Sequence, residues 1–138
     1  MKIKDKKRIL IVDDEEDLTW SISKGLLKDR NTFEVVCANS GKSALNLLAK
    51  NKYDLLVTDI RMPGGNGLTL LKKAKDLFPK TKVIVMTAYG SGEIKDVLDR
   101  TLMYGYIEKP FEFKDLRDLI FRCLNENSDN QKQLHKIK

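Results

Sequence analysis

Five short apolar segments, each followed by a stretch with helical periodicity, constrain the fold of this chain most strongly. The segments are 8–12 (RILIV), 33–38 (FEVVCA), 53–58 (YDLLVT), 82–87 (KVIVMT) and 104–108 (YGYIE). The first, third and fourth are nearly continuous aliphatic blocks, which is typical of parallel strands that are covered on both faces. The second and fifth alternate more and are expected nearer the edges of the sheet.

Apolar residues at helical spacing fill the gaps between these segments. The helical stripes begin at Leu18, Ala44, Leu68, Ile94 and Phe113, with Ser40 and Asn66 as predicted N-caps. The chain therefore reads as five β–α units. Crossovers of this length make the strands parallel, which predicts an α/β fold with a flavodoxin-like doubly wound sheet in the order 2-1-3-4-5.

The net charge of +6 is unevenly distributed along the 138 residues. Residues 1–8 hold five basic residues and one acidic residue, whereas 9–125 hold 18 basic and 17 acidic residues. We therefore predict a basic N-terminal arm over 1–7, one near-neutral domain over 8–125 and a polar tail or linker stub over 126–138. A near-neutral domain gives no support for direct DNA binding.

Membrane and secreted classes are not favoured. No apolar run approaches the roughly 18–20 residues that a membrane span needs, and the first apolar block is too short for a signal peptide. Cys37 and Cys123 lack metal-type spacing, so we predict two small buried thiols in a reducing cytoplasmic compartment.

Polar side chains follow four of the five predicted strands. Asp13 and Asp14 follow the first, Asp59 the third, Thr87 ends the fourth and Lys109 follows the fifth. Because the carboxyl ends of parallel strands meet at one edge of the sheet, we expect these residues to converge. Three converging carboxylates repel one another unless a cation neutralises them, and oxygen ligands of this kind suit Mg²⁺.

This set of groups is suited to phosphoryl transfer onto a carboxylate. Positioned cations stabilise the charge on the transferring group, and the carboxylate itself can be the nucleophile. The neighbouring acidic residues, Glu15 to Asp17, are interpreted as the first turn of a helix. Their negative charges interact favourably with the positive end of the helix dipole.

At these positions the sequence resembles the receiver domain of bacterial two-component response regulators. The matching stretches are 9–18 (ILIVDDEEDL), 55–71 (LLVTDIRMPGGNGLTLL), 83–93 (VIVMTAYGSGE) and 104–111 (YGYIEKPF), and the likeness covers about residues 8–125. The resemblance implies a phosphorylation-activated switch. It further implies that the domain is not a conventional enzyme but assists its own phosphotransfer and autodephosphorylation.

The resemblance also implies a role for each matching residue of the metal site. Asp59 would be the phosphoacceptor. Asp13, Asp14, Asp59 and the backbone carbonyl of Arg61 would hold Mg²⁺, for which Mn²⁺ is expected to substitute.

A second group of residues would bind and sense the phosphoryl group. Thr87, Ala88 and Lys109 would contact it, and Tyr106 matches the aromatic switch position of the family. The Lys109-Pro110 peptide is expected to be cis.

Two positions are expected to tune the phosphorylated lifetime. Arg61 is the second residue past Asp59, and Tyr89 is the second past Thr87. Both side chains are large enough to overhang the phosphoryl group, so we predict that they slow the access of water.

The resemblance implies protein partners. A sensor histidine kinase or a histidine phosphotransfer protein would donate the phosphoryl group. A downstream protein or a missing output domain would contact the face of the predicted fourth helix, fifth strand and last helix, and a homodimer is left open. Trp20 and Phe121 lie off their apolar stripes and are candidates for partner contacts.

Two other functions are weighed against this one. An aspartate-nucleophile hydrolase of the haloacid dehalogenase kind usually has a second Asp two residues past the nucleophile, where this chain has Arg61. A binding module that does not use phosphorylation is disfavoured by the complete set of acidic residues, Thr87 and Lys109.

Overall fold

The computed structural model describes residues 6–28, 32–62, 65–88, 103–125 and 135–137, with the backbone alone at 61–62, 65–68 and 135–137. Within these ranges the structure contains all five predicted strands and four of the five predicted helices. The strands are β1 (Lys7–Val12), β2 (Phe33–Ala38), β3 (Leu55–Asp59), β4 (Arg61–Met62), β5 (Gly65–Asn66), β6 (Lys82–Ala88), β7 (Gly105–Lys109) and β8 (His135–Ile137). The helices are α1 (Glu16–Leu26), α2 (Gly41–Lys50), α3 (Gly67–Leu77) and α4 (Phe113–Asn125).

The main sheet is parallel and has the order β2-β1-β3-β6-β7-β8. Its first five strands confirm the predicted order 2-1-3-4-5. The sixth, β8, was not predicted; it extends the edge of the sheet by pairing Gly105 with His135. A small antiparallel pair of β4 and β5, which was also not predicted, lies directly after Asp59.

Two apolar layers cover the sheet, because alternate residues of each central strand point to opposite faces. Leu10 and Val12 of β1 pack with buried residues of α2 and α3, whereas Ile9 and Ile11 pack with those of α1 and α4. Since both faces are buried, the central strands require continuous aliphatic sequences, which explains the pattern seen in the sequence.

Local signals place the first turns of the helices. The Ser40 hydroxyl accepts a hydrogen bond from the Ser43 backbone N–H at 3.1 Å, which confirms the predicted N-cap of α2. The helix α3 begins at Gly67, directly after Asn66. The predicted helix that starts near Ile94 lies outside the described residues.

One prediction about side-chain burial was wrong. Cys123 is buried as expected, but Cys37 is exposed at the end of the edge strand β2, where the sheet has no further neighbour. Phe121 is half-buried, because its ring packs edge-on against Phe33 at 5.2 Å between centroids. Among the described residues, the longest helix is α4 with 13 residues, and none of the helices could span a lipid bilayer.

Candidate functional site

The carboxyl edge of the sheet brings together acidic residues from two adjacent strands. In the parallel register of β1 and β3, Val12 lies opposite Thr58, so the following residues, Asp13 and Asp59, are neighbours across the edge. Asp13 is fully buried and Asp59 is 8% exposed. Asp14 follows Asp13 and is exposed to solvent. The predicted convergence of these three residues is therefore confirmed.

Lys109 approaches the acidic residues from the far side of β6. The lysine ends β7, which is separated from β3 by β6, a span of about 10 Å between strand axes. Its ammonium donates hydrogen bonds to Asp13 Oδ2 and to Asp59 Oδ2, both at 2.6 Å. The long flexible side chain thus reaches across one strand to join two carboxylates. The Lys109-Pro110 peptide that follows is cis, as predicted.

Burial of Asp13 raises the pKa of its carboxyl group to about 6. The effect of burial is opposed by the hydrogen bonds from Lys109 and from the backbone N–H of Glu15, and the negative charge of Asp59 adds to it. The Glu15 N–H lies 2.8 Å from Asp13 Oδ1, so both oxygens of this carboxylate accept a hydrogen bond. Asp13 is therefore a titrating group within this edge of the sheet.

Lys109 carries the positive charge of the site. Burial alone would lower the pKa of its ammonium, but the hydrogen bonds to Asp13 and Asp59 and the charges of these carboxylates raise it above the usual value. The lysine consequently stays charged across the physiological range of pH.

The acidic residues have the composition and spacing of a cation site. Asp13, Asp14 and Asp59 can each offer one carboxylate oxygen, and these three atoms lie within 4.8 Å of one another. Hard oxygen ligands of this kind fit Mg²⁺, which is bound through one or two carboxylates with water completing the octahedron. The backbone of Arg61 lies in β4, two residues past Asp59.

The predicted phosphoryl-binding residues lie at the same edge. Thr87 is buried near the end of β6, and Ala88, the last residue of that strand, is exposed and lies opposite Lys109. Tyr106 of β7 lies opposite Val85 and is 9% exposed, with its side chain in the apolar layer beneath α2 and α3. Tyr89 lies outside the described residues.

Glu15 belongs to the site, although the sequence interpretation assigned it to the helix dipole. It occupies the N-cap position of α1, and its carboxylate lies 3.2 Å from the Lys109 ammonium. Its backbone N–H is the group that binds Asp13. The signal in the sequence was its position two residues past Asp13, which places it at the turn between strand and helix. The interpretation holds for Glu16 and Asp17, the acidic residues in the first turn of α1.

The chain matches the family described as the response regulator receiver domain over residues 9–121. It is similar to the regulatory protein AtoC of Escherichia coli, with 36% identity over 128 residues that make up 93% of this chain and 27% of AtoC. It is also similar to sporulation initiation phosphotransferase F of Bacillus subtilis, with 29% identity, covering 86% of this chain and 94% of that protein.

Solved structures show the same likeness. The response regulator protein TrrA of Thermotoga maritima, solved in complex with Mg²⁺-BeF, has a TM-score of 0.75 and 30% identity, covering 86% of this chain and 99% of TrrA. The receiver domain of HemR from Leptospira biflexa has a TM-score of 0.79 and 28% identity, covering 88% and 97% of the two chains. The chain spans about a quarter of the length of the first curated relatives that it matches.

Proposed function

The chain belongs to the receiver domain family of response regulators, and from this premise we propose that it accepts a phosphoryl group on Asp59 from a histidine kinase in a Mg²⁺-dependent phosphorelay. The observation that carries the proposal is the position of the Lys109 ammonium, 2.6 Å from oxygens of both Asp59 and Asp13. A nucleophilic carboxylate, a fixed positive charge and a set of cation ligands are thereby combined within one hydrogen-bonded cluster.

Asp13, Asp14, Asp59 and the backbone carbonyl of Arg61 would hold Mg²⁺, and Mn²⁺ would substitute for it. The spacing of the three carboxylates supports this assignment. The bound ion supplies positive charge that neutralises the phosphoryl oxygens and the acidic cluster. Asp13 has to be ionised to take part, so protonation of this buried carboxyl group opposes binding of the ion.

Asp59 would act as the nucleophile. One of its carboxylate oxygens attacks phosphorus, a new O–P bond forms, and the N–P bond of the donor phosphohistidine breaks with its electron pair returning to the imidazole. Lys109 leaves the Asp59 oxygen and pairs with the incoming phosphoryl oxygens, which is a short displacement for a flexible ammonium. The Thr87 hydroxyl and the region of Ala88 contact a further phosphoryl oxygen.

Phosphorylation would be read through Thr87 and Tyr106. When Thr87 moves toward the phosphoryl group, space opens behind it and the ring of Tyr106 turns inward. Tyr106 already lies in the apolar layer and is almost fully covered, so the change is a shift between two packed arrangements and not a new fold.

Arg61 and Tyr89 would set the rate at which water removes the phosphoryl group in autodephosphorylation. Decay that is no faster in an Arg61→Ala, Tyr89→Ala double variant would contradict this assignment. Asp76→Asn, which changes an exposed residue of α3, gives a control for the effect of substitution itself.

The protein would work in the cytoplasm between a phosphoryl donor and a downstream partner. The donor is a sensor histidine kinase or a histidine phosphotransfer protein. Trp20 of α1 is 63% exposed and borders a cleft of about 370 Å³ that Glu16 and Ala38 also line, so this side of the site offers an aromatic contact to the donor.

Output would pass through the face around β7 and α4 to a downstream protein or to a further domain, without direct DNA binding by this domain. A homodimer formed on this face is a second arrangement to test. Phe121 of α4 would add only part of its ring to such a contact, because the ring already packs against Phe33.

Incubation with acetyl phosphate and Mg²⁺, followed by intact-mass measurement, tests the proposal. We expect a gain of one phosphoryl group that disappears in Asp59→Asn and persists in the control Asp76→Asn. No gain at any Mg²⁺ concentration would contradict the proposed function. Release of phosphate from many small phosphomonoesters at high turnover would instead favour the hydrolase.

A further inference from the structure

We propose that a groove at the opposite end of the sheet from Asp59 binds an acidic peptide segment that carries an apolar side chain. The groove has a volume of about 640 Å³ and lies between the connection from α2 to β3 and the connection from α3 to β6. Its lining includes Leu48, Lys50, Lys52, Tyr53, Phe78 and Lys80. Because both connections precede parallel strands, the groove lies about 15 Å along β3 from Asp59.

The rim of the groove is basic. Lys50, Lys52 and Lys80 are all exposed, and within the part of the chain that the structure describes none of them has a salt-bridge partner. Asp54 also lines the groove, but its carboxylate accepts a hydrogen bond from the Arg8 backbone N–H at 2.8 Å. The carboxylate therefore has a partner on β1, and the three ammonium groups are available to an outside anion.

The floor of the groove is apolar. Leu48 is 2% exposed and Tyr53 is 5% exposed, and both belong to the core layer beneath α2 and α3. Phe78 is half-buried against the same layer, so part of its ring remains uncovered within the groove. An apolar side chain placed here would exclude water from this ring and continue the core outward.

The two walls are joined by hydrogen bonds, so the groove exists before anything binds. The Thr81 hydroxyl donates across the two connections to the Tyr53 carbonyl at 2.8 Å, while the Thr81 backbone N–H donates within its own connection to the Phe78 carbonyl at 3.0 Å. The Lys82 N–H donates to the Asp54 carbonyl at 3.1 Å. A pre-formed site loses less conformational entropy on binding than one that must be assembled.

The choice of an acidic peptide follows from this combination of rim and floor. Lys50 lies in the last turn of α2, where its charge interacts favourably with the negative end of the helix dipole. Lys52 and Lys80 lie beyond the helix ends, so the helix dipole does not account for them. Carboxylates that flank an apolar side chain match three ammonium groups around a buried apolar floor. A phosphate backbone would match the charges and leave the floor unused.

A fluorescence anisotropy titration of the full chain tests the proposal. The probe is a short fluorescein-labelled peptide in which Asp and Glu residues flank a central Leu-Phe pair. We expect the triple variant Lys50→Gln, Lys52→Gln, Lys80→Gln to bind about tenfold more weakly, since each exposed ion pair contributes modestly. The matched control Lys42→Gln, Lys72→Gln, Lys114→Gln removes the same charge from exposed positions elsewhere and is expected to bind like the wild type.

Two further measurements separate the proposal from general attraction between opposite charges. Replacing the Leu-Phe pair of the probe by Ser-Ser is expected to weaken binding at least fivefold. Changes in amide NMR shifts are expected at 48–54 and at Phe78, Lys80 and Thr81. Equal binding of the two probes, equal loss in the control triple variant, or shifts elsewhere would overturn the proposal. Tighter binding of a single-stranded oligonucleotide at the same residues would also overturn it. Binding is expected to persist in Asp59→Asn, so failure here is distinct from failure of the phosphorylation reaction.

Discussion

The Lys109 ammonium lies 2.6 Å from Asp59 Oδ2. It lies at the same distance from Asp13 Oδ2, so a single side chain occupies oxygens from two of the three carboxylates that can hold a cation. In the absence of a divalent ion, the lysine therefore offsets part of the negative charge of the acidic cluster. Binding of Mg²⁺ and pairing with Lys109 draw on the same two carboxylates.

This competition predicts the effect of removing the lysine charge. Lys109→Gln is expected to bind Mg²⁺ about three- to tenfold more tightly than the wild type, because the ion no longer displaces an ammonium. The same variant is expected to be phosphorylated more slowly, since the group that receives the phosphoryl oxygens is gone. Titration calorimetry with Mg²⁺ and the intact-mass assay measure the two effects. Lys114→Gln serves as the control at an exposed site, and weaker Mg²⁺ binding by Lys109→Gln would contradict the competition.

The buried Asp13 predicts a pH-dependent stability in the absence of metal. Its pKa is raised from 3.8 to about 6 in the folded protein, so folding favours the protonated form. The stabilising contribution of Asp13 is therefore complete below about pH 4 and is lost as the pH rises through about 6.

Asp13→Asn is expected to remove the decrease in stability that the wild type shows as the pH rises through about 6. We expect the variant to gain free energy of unfolding relative to the wild type, and the gain at pH 8 to exceed that at pH 5 by about 1 kcal/mol. Urea denaturation in EDTA at the two pH values measures it, with Asp76→Asn as the control. An equal difference at both pH values would contradict the assignment of this pKa to Asp13.

Removing the charge of Glu15 is expected to have a small effect on the free energy of unfolding and a larger effect on the rate of phosphorylation. Its side chain is 64% exposed, so the pair with Lys109 at 3.2 Å is largely screened by water. Glu15→Gln is expected to change the free energy of unfolding by less than about 0.5 kcal/mol. Because Lys109 then has one fewer carboxylate to leave, phosphorylation by acetyl phosphate is expected to be faster than in the wild type. Glu16→Gln, on the same helix, is expected to leave the rate unchanged.

The close approach of Phe113 to Gly25 predicts that Gly25→Ala destabilises the protein, because the steric cost exceeds the gain in helix propensity. A Cβ added at Gly25 would lie 2.5 Å from the Phe113 ring, which joins α1 to the start of α4. Ala is favoured over Gly inside a helix by about 1 kcal/mol, whereas overpacking costs about 1–3 kcal/mol. We therefore expect Gly25→Ala to lower the free energy of unfolding by about 1 kcal/mol.

A double-mutant cycle checks the cause of this loss. In a Phe113→Ala background the ring is absent, so Gly25→Ala is expected to be neutral or stabilising. Chemical denaturation of the four proteins gives the coupling free energy. A loss of the same size in both backgrounds would show that the ring is not the cause.

The sequence was sufficient to predict the order of the five central parallel strands and the residues at their carboxyl ends. Strands covered on both faces need aliphatic runs such as residues 9–12, and functional side chains of a doubly wound sheet follow such runs directly, as Asp13 and Asp59 do. Both signals are local, so they can be read without knowing which residues meet in space.

Beyond the residues at the strand ends, only the tertiary structure decided which distant side chains meet. The contact of Glu15 with Lys109 joins residues 94 positions apart, and the ring of Phe121 reaches Phe33 on another element. The exposure of Cys37 likewise depends on β2 being an edge strand. Helical and strand periodicity describe one element at a time, whereas these contacts depend on the packing of several elements, and for that reason the sequence pattern did not predict them.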